Sequence, residues 1–357
     1  MIDNLRTYNK MIHILRQWHP SERKNRIENM ALFMMGLFMG ESVHLSKIVR
    51  QWPLPAKELS MVNRLRRFLN NKFVVSQTWY RPIADHILQS FKGLPIKLVI
   101  DCSKVGFYHR LMMIGVAYKK RTIPLVWSVH RGAKGHVSVE KQLKLFRYLL
   151  PLIPRGAKVT VLGDAGFETA KLMNWLRQQG WKFVIRQNGR SMVKKAGENW
   201  VKLNQISVKE GDSFVYGWIR LTKTHDAGWF YLVVHWEKGE KEPWFLLSNF
   251  EGRHLVIKEY KIRMWIEEMF GDMKGHGFDL EKTHLDDEGR IDTLVLGVAI
   301  VFTWFISLGS RVVKSGNRHW IDAKSRRDKS YFRLGWDWIM RIRRLNQPIP
   351  IGFTLYF

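Results

Sequence analysis

The chain has 357 residues, and 59 Lys and Arg stand against 31 Asp and Glu, a formal charge of +28 with His neutral. With 46% hydrophobic and 13% aromatic residues it can bury a sizeable core, which excludes an intrinsically disordered chain. The lone cysteine, Cys102, excludes an intramolecular disulfide and a cysteine-based zinc site, and suits a reducing, cytoplasmic setting. A charge excess of this size repels itself in a free protein and points to a polyanionic partner, without specifying any chemistry.

The first 20 residues carry polar side chains throughout and lack the pattern of a secretory signal. The two longest apolar runs, 30–39 and 294–308, fall short of the roughly 20 residues of a membrane span. Both are expected to be buried helices, and no membrane partner is expected.

Residues 1–95 show helical spacing, with prolines only at breaks, and are expected to form an all-α front domain. Within it, 46–51 reads as a short helix, the Pro-rich 52–55 breaks it, and 57–70 reads as a second helix carrying Arg64, Arg66 and Arg67. Helix, turn and basic helix fit a DNA-reading unit, and equally a helical bundle with a solvated basic face.

From residue 96 the texture changes. Runs at 96–103, 110–117 and 122–129 read as strands, followed by helix 139–150, strand 158–163, helix 168–179 and strand 181–186. Three antiparallel strands followed by alternating helices and strands is the order of an RNase H-like α/β domain. Residues 188–250, with aromatic β-branched runs and turn-rich polar pieces, read as a β-rich insertion in that domain. A long helix over 254–274 and the apolar helix 294–308 complete a domain of 96–310. A basic C-terminal segment, 311–357, interleaves tryptophans and arginines.

Asp101 ends the apolar run LVID and Asp164 ends VTVLGD. Carboxylates at the C-terminal ends of adjacent buried strands converge on one spot and suit a divalent cation with oxygen ligands, although a single Asp in such a place is ordinarily a turn former or helix cap. A third acid lies in EYKIRMWIEEMFGDMKGHG. At about 100° per residue, Tyr260, Arg263, Glu267 and Lys274 share a stripe about 60° wide. Glu268 and Asp272 point elsewhere, which selects Glu267 as the ligand and leaves Glu268 as a solvated or structural acid. The bland alternative is a surface helix with an Arg263–Glu267 ion pair. Other residues read plainly: His136 as a loop cap or surface residue, Cys102 as a small buried side chain.

The spacing Tyr, two residues, Arg, three residues, Glu, six residues, Lys resembles the signature of bacterial insertion-sequence transposases of the DDE type, in the group named for the fourth insertion sequence. The pieces GFDLEKTH (277–284), DAGF (164–167) and WFLLSNF (244–250) are similar to that family as well. The resemblance spans roughly residues 96–310.

It implies an RNase H-like core in which Asp101, Asp164 and Glu267 hold two Mg2+ per active site, with Mn2+ able to substitute. It further implies that Tyr260, Arg263 and Lys274 hold phosphates of the transposon end. The basic flanks would bind the terminal inverted repeats, and a homodimer would pair two double-stranded DNA ends in a synaptic complex. The family also implies a DNA hairpin intermediate assisted by an aromatic side chain of the β insertion. Trp229, Trp236 and Trp244 are the residues available for that role, and each equally fits a β-core tryptophan. Two other functions fit the same residues: a metal-dependent DNA endonuclease that cannot join, and a DNA-binding regulator that has lost catalysis.

Overall fold

A computed structural model describes residues 2–132, 137–222, 228–323, 325 and 327–357. The strands β1 (Ile96–Val105), β2 (His109–Tyr118) and β3 (Arg121–Arg131) form an antiparallel meander, with nearly every residue of β2 buried. Two lysines in the left-handed conformation, Lys119 and Lys120, make the β2–β3 turn. Helix α6 (Val139–Leu149) then crosses to β4 (Val159–Gly163), and α7 (Ala170–Gln178), capped by the Thr169 hydroxyl, crosses to β5 (Lys182–Gln187). β4 lies parallel to β1 and β5 parallel to β4. Crossover helices force that parallel arrangement, and burial on both faces explains the continuous apolar runs of these strands.

The β-rich segment prolongs this same sheet. The strands β6 (Met192–Lys194), β7 (Val201–Lys202), β8 (Ser213–Leu221), β9 (Trp229–His235) and β10 (Trp244–Ser248) continue it. The complete order is β3-β2-β1-β4-β5-β10-β9-β8-β6-β7. The junction is antiparallel, with Phe245 opposite Gln187 and Ser248 opposite Val184. The buried row of β10 (WFLLS) satisfies the open edge of β5, a stronger constraint than the loops around it.

Five helices precede the sheet: α1 (Ile2–Trp18), α2 (Lys24–Gly40), α3 (Leu45–Val49), α4 (Glu58–Leu69) and α5 (Ser76–Gln89). They share one hydrophobic cluster with the sheet and the later helices. The Tyr80 hydroxyl in α5 shows the join: it donates to the Pro124 carbonyl of β3 at 3.1 Å and meets the Thr303 hydroxyl at 2.7 Å.

The segment expected as one helix over 254–274 is two, α8 (Arg253–Lys261) and α9 (Met264–Met273). No Pro or Gly stands at the break between them. At the junction Arg263 N–H bonds Tyr260 O and Ile266 N–H bonds Arg263 O, three residues back, so the backbone tightens locally to a 3₁₀ turn. Residues on either side of the turn are therefore out of the phase that a straight helix gives them.

Helix α10 (Glu288–Lys314) is apolar and long enough to cross a membrane by length and composition, but 94% of its most apolar window is buried inside the protein. It is the core helix around which the others pack. The C-terminal segment is not a loose tail. Its helix α11 (Tyr331–Arg344) crosses α10 where Gly309 and Gly335 face each other's backbone, and a Cβ on Gly335 would sit 1.9 Å from the Phe305 carbonyl. The contact buries Phe332, Trp336, Ile339 and Ile342 and turns Arg333, Arg341, Arg343 and Arg344 outward or to the rim.

Candidate active site

Register places the first two acids side by side. Ile100 of β1 lies opposite Gly163 of β4, and Gly163 opposite Ile185 of β5. Asp101, Asp164 and Arg186 each follow that row by one residue, on strands about 4.8 Å apart. Arg186 is the site residue that sequence reasoning missed; its signal was its place one residue past the last row of parallel pairing, where the other two strands carry acids.

Asp164 ends its strand and caps the following turn, accepting from Gly166 N–H at 2.8 Å. Asp101 is 7% exposed and accepts from the Cys102 N–H at 2.7 Å. Arg263, at the α8–α9 turn, brings the third acid in: its Nη2 donates to Asp101 Oδ2 at 3.1 Å and to Glu267 Oε1 at 2.5 Å. One guanidinium thus spans two of the three carboxylates.

Glu268 and Asp272 face away from that cluster. Both pair with Arg121 of β3, at 3.2 and 2.6 Å, and that pairing ties α9 to the β2–β3 turn. The Arg263–Glu267 pairing is also the plain i to i+4 ion pair, but here it is shared with a strand acid instead of solvent.

Electrostatics register the crowding. Burial pushes the Asp101 carboxyl up to about 6; Arg263 and the Cys102 amide oppose this, while Asp164 and Glu267 add to it. Burial alone would lower Arg263, yet Asp101, Tyr260, Glu267 and Asp164 together hold it above its ordinary value, so it stays charged. The upward direction for Asp101 reflects its burial and acidic neighbours, not failure of the pair. Burial, with Asp101 next, pushes the Cys102 thiol up to about 12, which leaves it inert at neutral pH.

The remaining signature residues do not form one straight stripe. Tyr260 is buried against the Trp244 ring, with centroids 5.1 Å apart. Burial raises its hydroxyl to about 12 against the opposing pull of Arg263 and Arg186. Lys274 caps the far end of α9, where burial lowers its pKa and Glu281, Lys104 and Asp101 are the charges it senses.

A cleft of about 840 Å3 opens between these acids and the β-rich segment, with Asp164, Arg186, Arg263 and Glu267 on one side and Trp236, Asn204 and Phe245 on the other. A smaller recess of about 330 Å3 holds Asp101, Cys102, Arg110 and Asp164, so Asp164 borders both. Among the three tryptophans, Trp236 lines the cleft, its indole N–H donating to the Glu240 carbonyl at 2.8 Å. Trp244 is a core residue, 8% exposed, and its ring has no free face toward the cleft because Tyr260 and His235 pack on it. Trp229 is exposed but lies under the Arg220 guanidinium, 5.2 Å from the ring centre.

In the front helices Arg66 and Arg67 are exposed, whereas Arg64 turns inward to Asn29 at 2.7 Å and over the Trp52 ring. His136 lies outside the described residues.

The family model for the transposase DDE domain matches residues 101–304, more than half of the chain, beginning at Asp101 itself. The chain belongs to the transposase DDE-domain family. No curated protein matches it. Among solved structures it is similar to one described as a cryo-EM structure of the piggyBac transposase synaptic complex with hairpin DNA. The identity is 13% and the TM-score 0.47, over 98% of this chain and 83% of that one.

DDE-family proteins generally use divalent metal ions, and the donor chemistry here suits one. All three acids are carboxylates, the hard oxygen ligands that Mg2+ prefers, and while burial is the main cause of the raised Asp101 pKa, Asp164 and Glu267 both add to it. Among the described residues, however, no three His, Cys, Asp or Glu side chains stand close enough together to hold a metal, and Arg263 occupies the space between Asp101 and Glu267.

Proposed function

We propose that this DDE-family protein is the transposase of a bacterial insertion sequence, which binds the terminal inverted repeats of its element, cuts the DNA there and joins the ends to a target. The observation that carries the reading is that Asp101 and Asp164 sit side by side on two parallel strands while one guanidinium, Arg263, joins Asp101 to Glu267 of a helix at a cleft that Asp164 also lines. The order β3-β2-β1-β4-β5 with β1, β4 and β5 parallel supports an RNase H-like core.

Asp101, Asp164 and Glu267 would hold Mg2+, with Mn2+ as a substitute. Two bound ions would activate the attacking hydroxyl and stabilise the leaving oxygen in phosphodiester exchange. Arg263 has two tasks in the protein's own chemistry. Without DNA it neutralises the carboxylates; with DNA its planar fork is free to take a phosphate bidentately as the acids gain other counter-charge. Tyr260, neutral and buried, fixes the strand end next to Arg186, which presents cationic charge to the cleft. Lys274 adds a point charge on the Asp101 side. Trp236 is the tryptophan placed to meet a displaced base, since it alone of the three lines the cleft. Cleavage and joining then use one site with different nucleophiles, and pairing of two ends requires a dimer on DNA.

Purified protein is incubated with Mg2+, labelled duplex carrying the repeat that brackets the gene, and a target plasmid. Joined product is expected. Cleavage without joining reduces the reading to an endonuclease, and tight binding with neither reaction reduces it to a regulator.

A further inference from the structure

The β1–β2 hairpin closes with a three-residue tip. Val105 pairs with His109, leaving Gly106, Phe107 and Tyr108 to make the turn. Gly106 is in the left-handed conformation at φ 56°, and a Cβ there would meet the Thr283 side chain and carbonyl at 3.3 Å, so the turn is pressed onto the segment that follows α9.

The result is an aromatic pair aimed at solvent: Phe107 is 59% exposed and Tyr108 57%. The Phe107 ring is nevertheless held from behind. It lies 5.8 Å from the His284 ring, which lies 5.8 Å from that of His44. The Tyr108 ring lies 6.3 Å from that of Phe107 as well, and an aromatic pair held in place yet more than half exposed is built to stack on something planar, because little rotamer freedom remains to be lost.

The surroundings say what. Lys104 is exposed on the same hairpin and close enough to Lys274 to lower its pKa, and Lys274 also senses Asp101. Two lysines, one on the hairpin beside the tip and one near Asp101, are thus close enough to sense each other. A polyanion carrying flat rings matches both the lysines and the exposed aromatic pair. From Asp101 to Val105 is four residues of extended strand, about 13 Å, and the tip lies a residue or two beyond. At 3.4 Å per nucleotide along one strand, that is about five to six nucleotides from the scissile phosphate.

We propose that Phe107 and Tyr108 form a base-stacking wedge, which enters duplex DNA about five to six nucleotides from the reacting phosphodiester and unstacks it there. The proposal rests on the transposase reading but names a contact that reading does not contain. A wedge at that distance bends the duplex so that the phosphate at the active site and the phosphates at Lys104 and Lys274 are engaged together.

The test uses the full-length chain in the inactive Asp164→Asn background. The probe is a duplex of the bracketing repeat with its flanks, substituted with 5-iodouracil at one position at a time and irradiated. Cross-links that map by mass spectrometry to Phe107 or Tyr108, from a position about five to six nucleotides from the cleaved bond, are expected. Phe107→Ala with Tyr108→Ala should abolish them and weaken binding about tenfold, the worth of one stacked base. Phe107→Trp should keep both. Circular dichroism checks that each variant is folded, as expected for exposed positions. If the duplex binds but its cross-links map only elsewhere, or survive the double substitution, the wedge is wrong and the transposase reading stands. If no duplex binds at all, the reading beneath it fails as well.

Discussion

Arg263 carries the arrangement at the scale of single residues. It is nearly buried, it touches Asp101 and Glu267 at once, and three acids keep it charged. Because a guanidinium satisfies a carboxylate through direction as well as charge, the site is preorganised before any ligand arrives. The acids can be separated experimentally. Asp101→Asn, Asp164→Asn and Glu267→Gln each replace a carboxylate by a near-isosteric amide, so each is expected to abolish cleavage of labelled end DNA while gel-shift binding of the same DNA is largely retained. Glu268→Gln, which disturbs only an exposed arm of the Arg121 pairing, should still cleave. An active Glu267→Gln beside a dead Glu268→Gln would reverse the assignment. The choice between the two glutamates was legible in the sequence because they are adjacent, and adjacent helical residues point about 100° apart whatever happens one turn earlier. The position of Tyr260 and Lys274 was not. Their common stripe assumed an unbroken helix, and the 3₁₀ turn at Arg263, which depends on contacts with Asp101 on a distant strand, cannot be read from local spacing.

Among the elements, α9 has the most demanding task, since it must hold Glu267 against a strand it does not belong to. Arg121 of β3 anchors it through Asp272, whose side chain is only 7% exposed. Burial raises the Asp272 pKa even though the Arg121 hydrogen bond and charge pull the other way. Removing Arg121 therefore leaves a buried carboxylate without its cation, a change that costs about 3 kcal/mol in comparable settings. Arg121→Met is expected to lower the unfolding free energy by about that amount at pH 7, measured by denaturant titration. The sign of the pH dependence follows from linkage. A carboxyl whose folded pKa lies above its unfolded value takes up its proton more readily in the folded chain, so its ionisation destabilises the fold as pH rises through the folded pKa, and this penalty is absent below the unfolded value. Loss of Arg121 raises the folded pKa further. The deficit of the variant against wild type should thus be full at neutral pH and shrink as pH falls toward 4; a deficit independent of pH would mean that Arg121 acts by packing alone. The central strands were legible because burial on both faces writes continuous apolar runs. The docking of the β-rich segment onto β5, and of α11 onto α10 through Gly309 and Gly335, was not, because each depends on which distant backbone lies opposite.

Across the whole molecule the charge is distributed unevenly. Residues 1–95 hold 15 Lys and Arg against 6 acids, and residues 311–347 hold 11 against 3. Both flanks are nonetheless built into the common core, so their basic side chains are presented by rigid helices and not by tails. That separates cations available to a phosphate backbone from those spent on the fold. Arg66 and Arg67 are exposed on α4, while Arg64 on the same helix is bound to Asn29 and lies over Trp52. Binding that neutralises phosphates releases condensed counterions, and each lost contact reduces the slope of log K against log salt by about one. Arg66→Ala with Arg67→Ala is therefore expected to weaken DNA binding and flatten that slope by about two, with thermal stability unchanged. Arg64→Ala should do the reverse: it leaves the slope as it was and costs about 1 kcal/mol of stability through the lost Asn29 hydrogen bond. Salt titrations of the gel-shift constant, set beside thermal melts of the same variants, read both effects. Equal slopes for both variants and wild type would show that α4 does not face the DNA, and would move the binding surface to α11, where Arg333, Arg341, Arg343 and Arg344 offer the other dense set of cations.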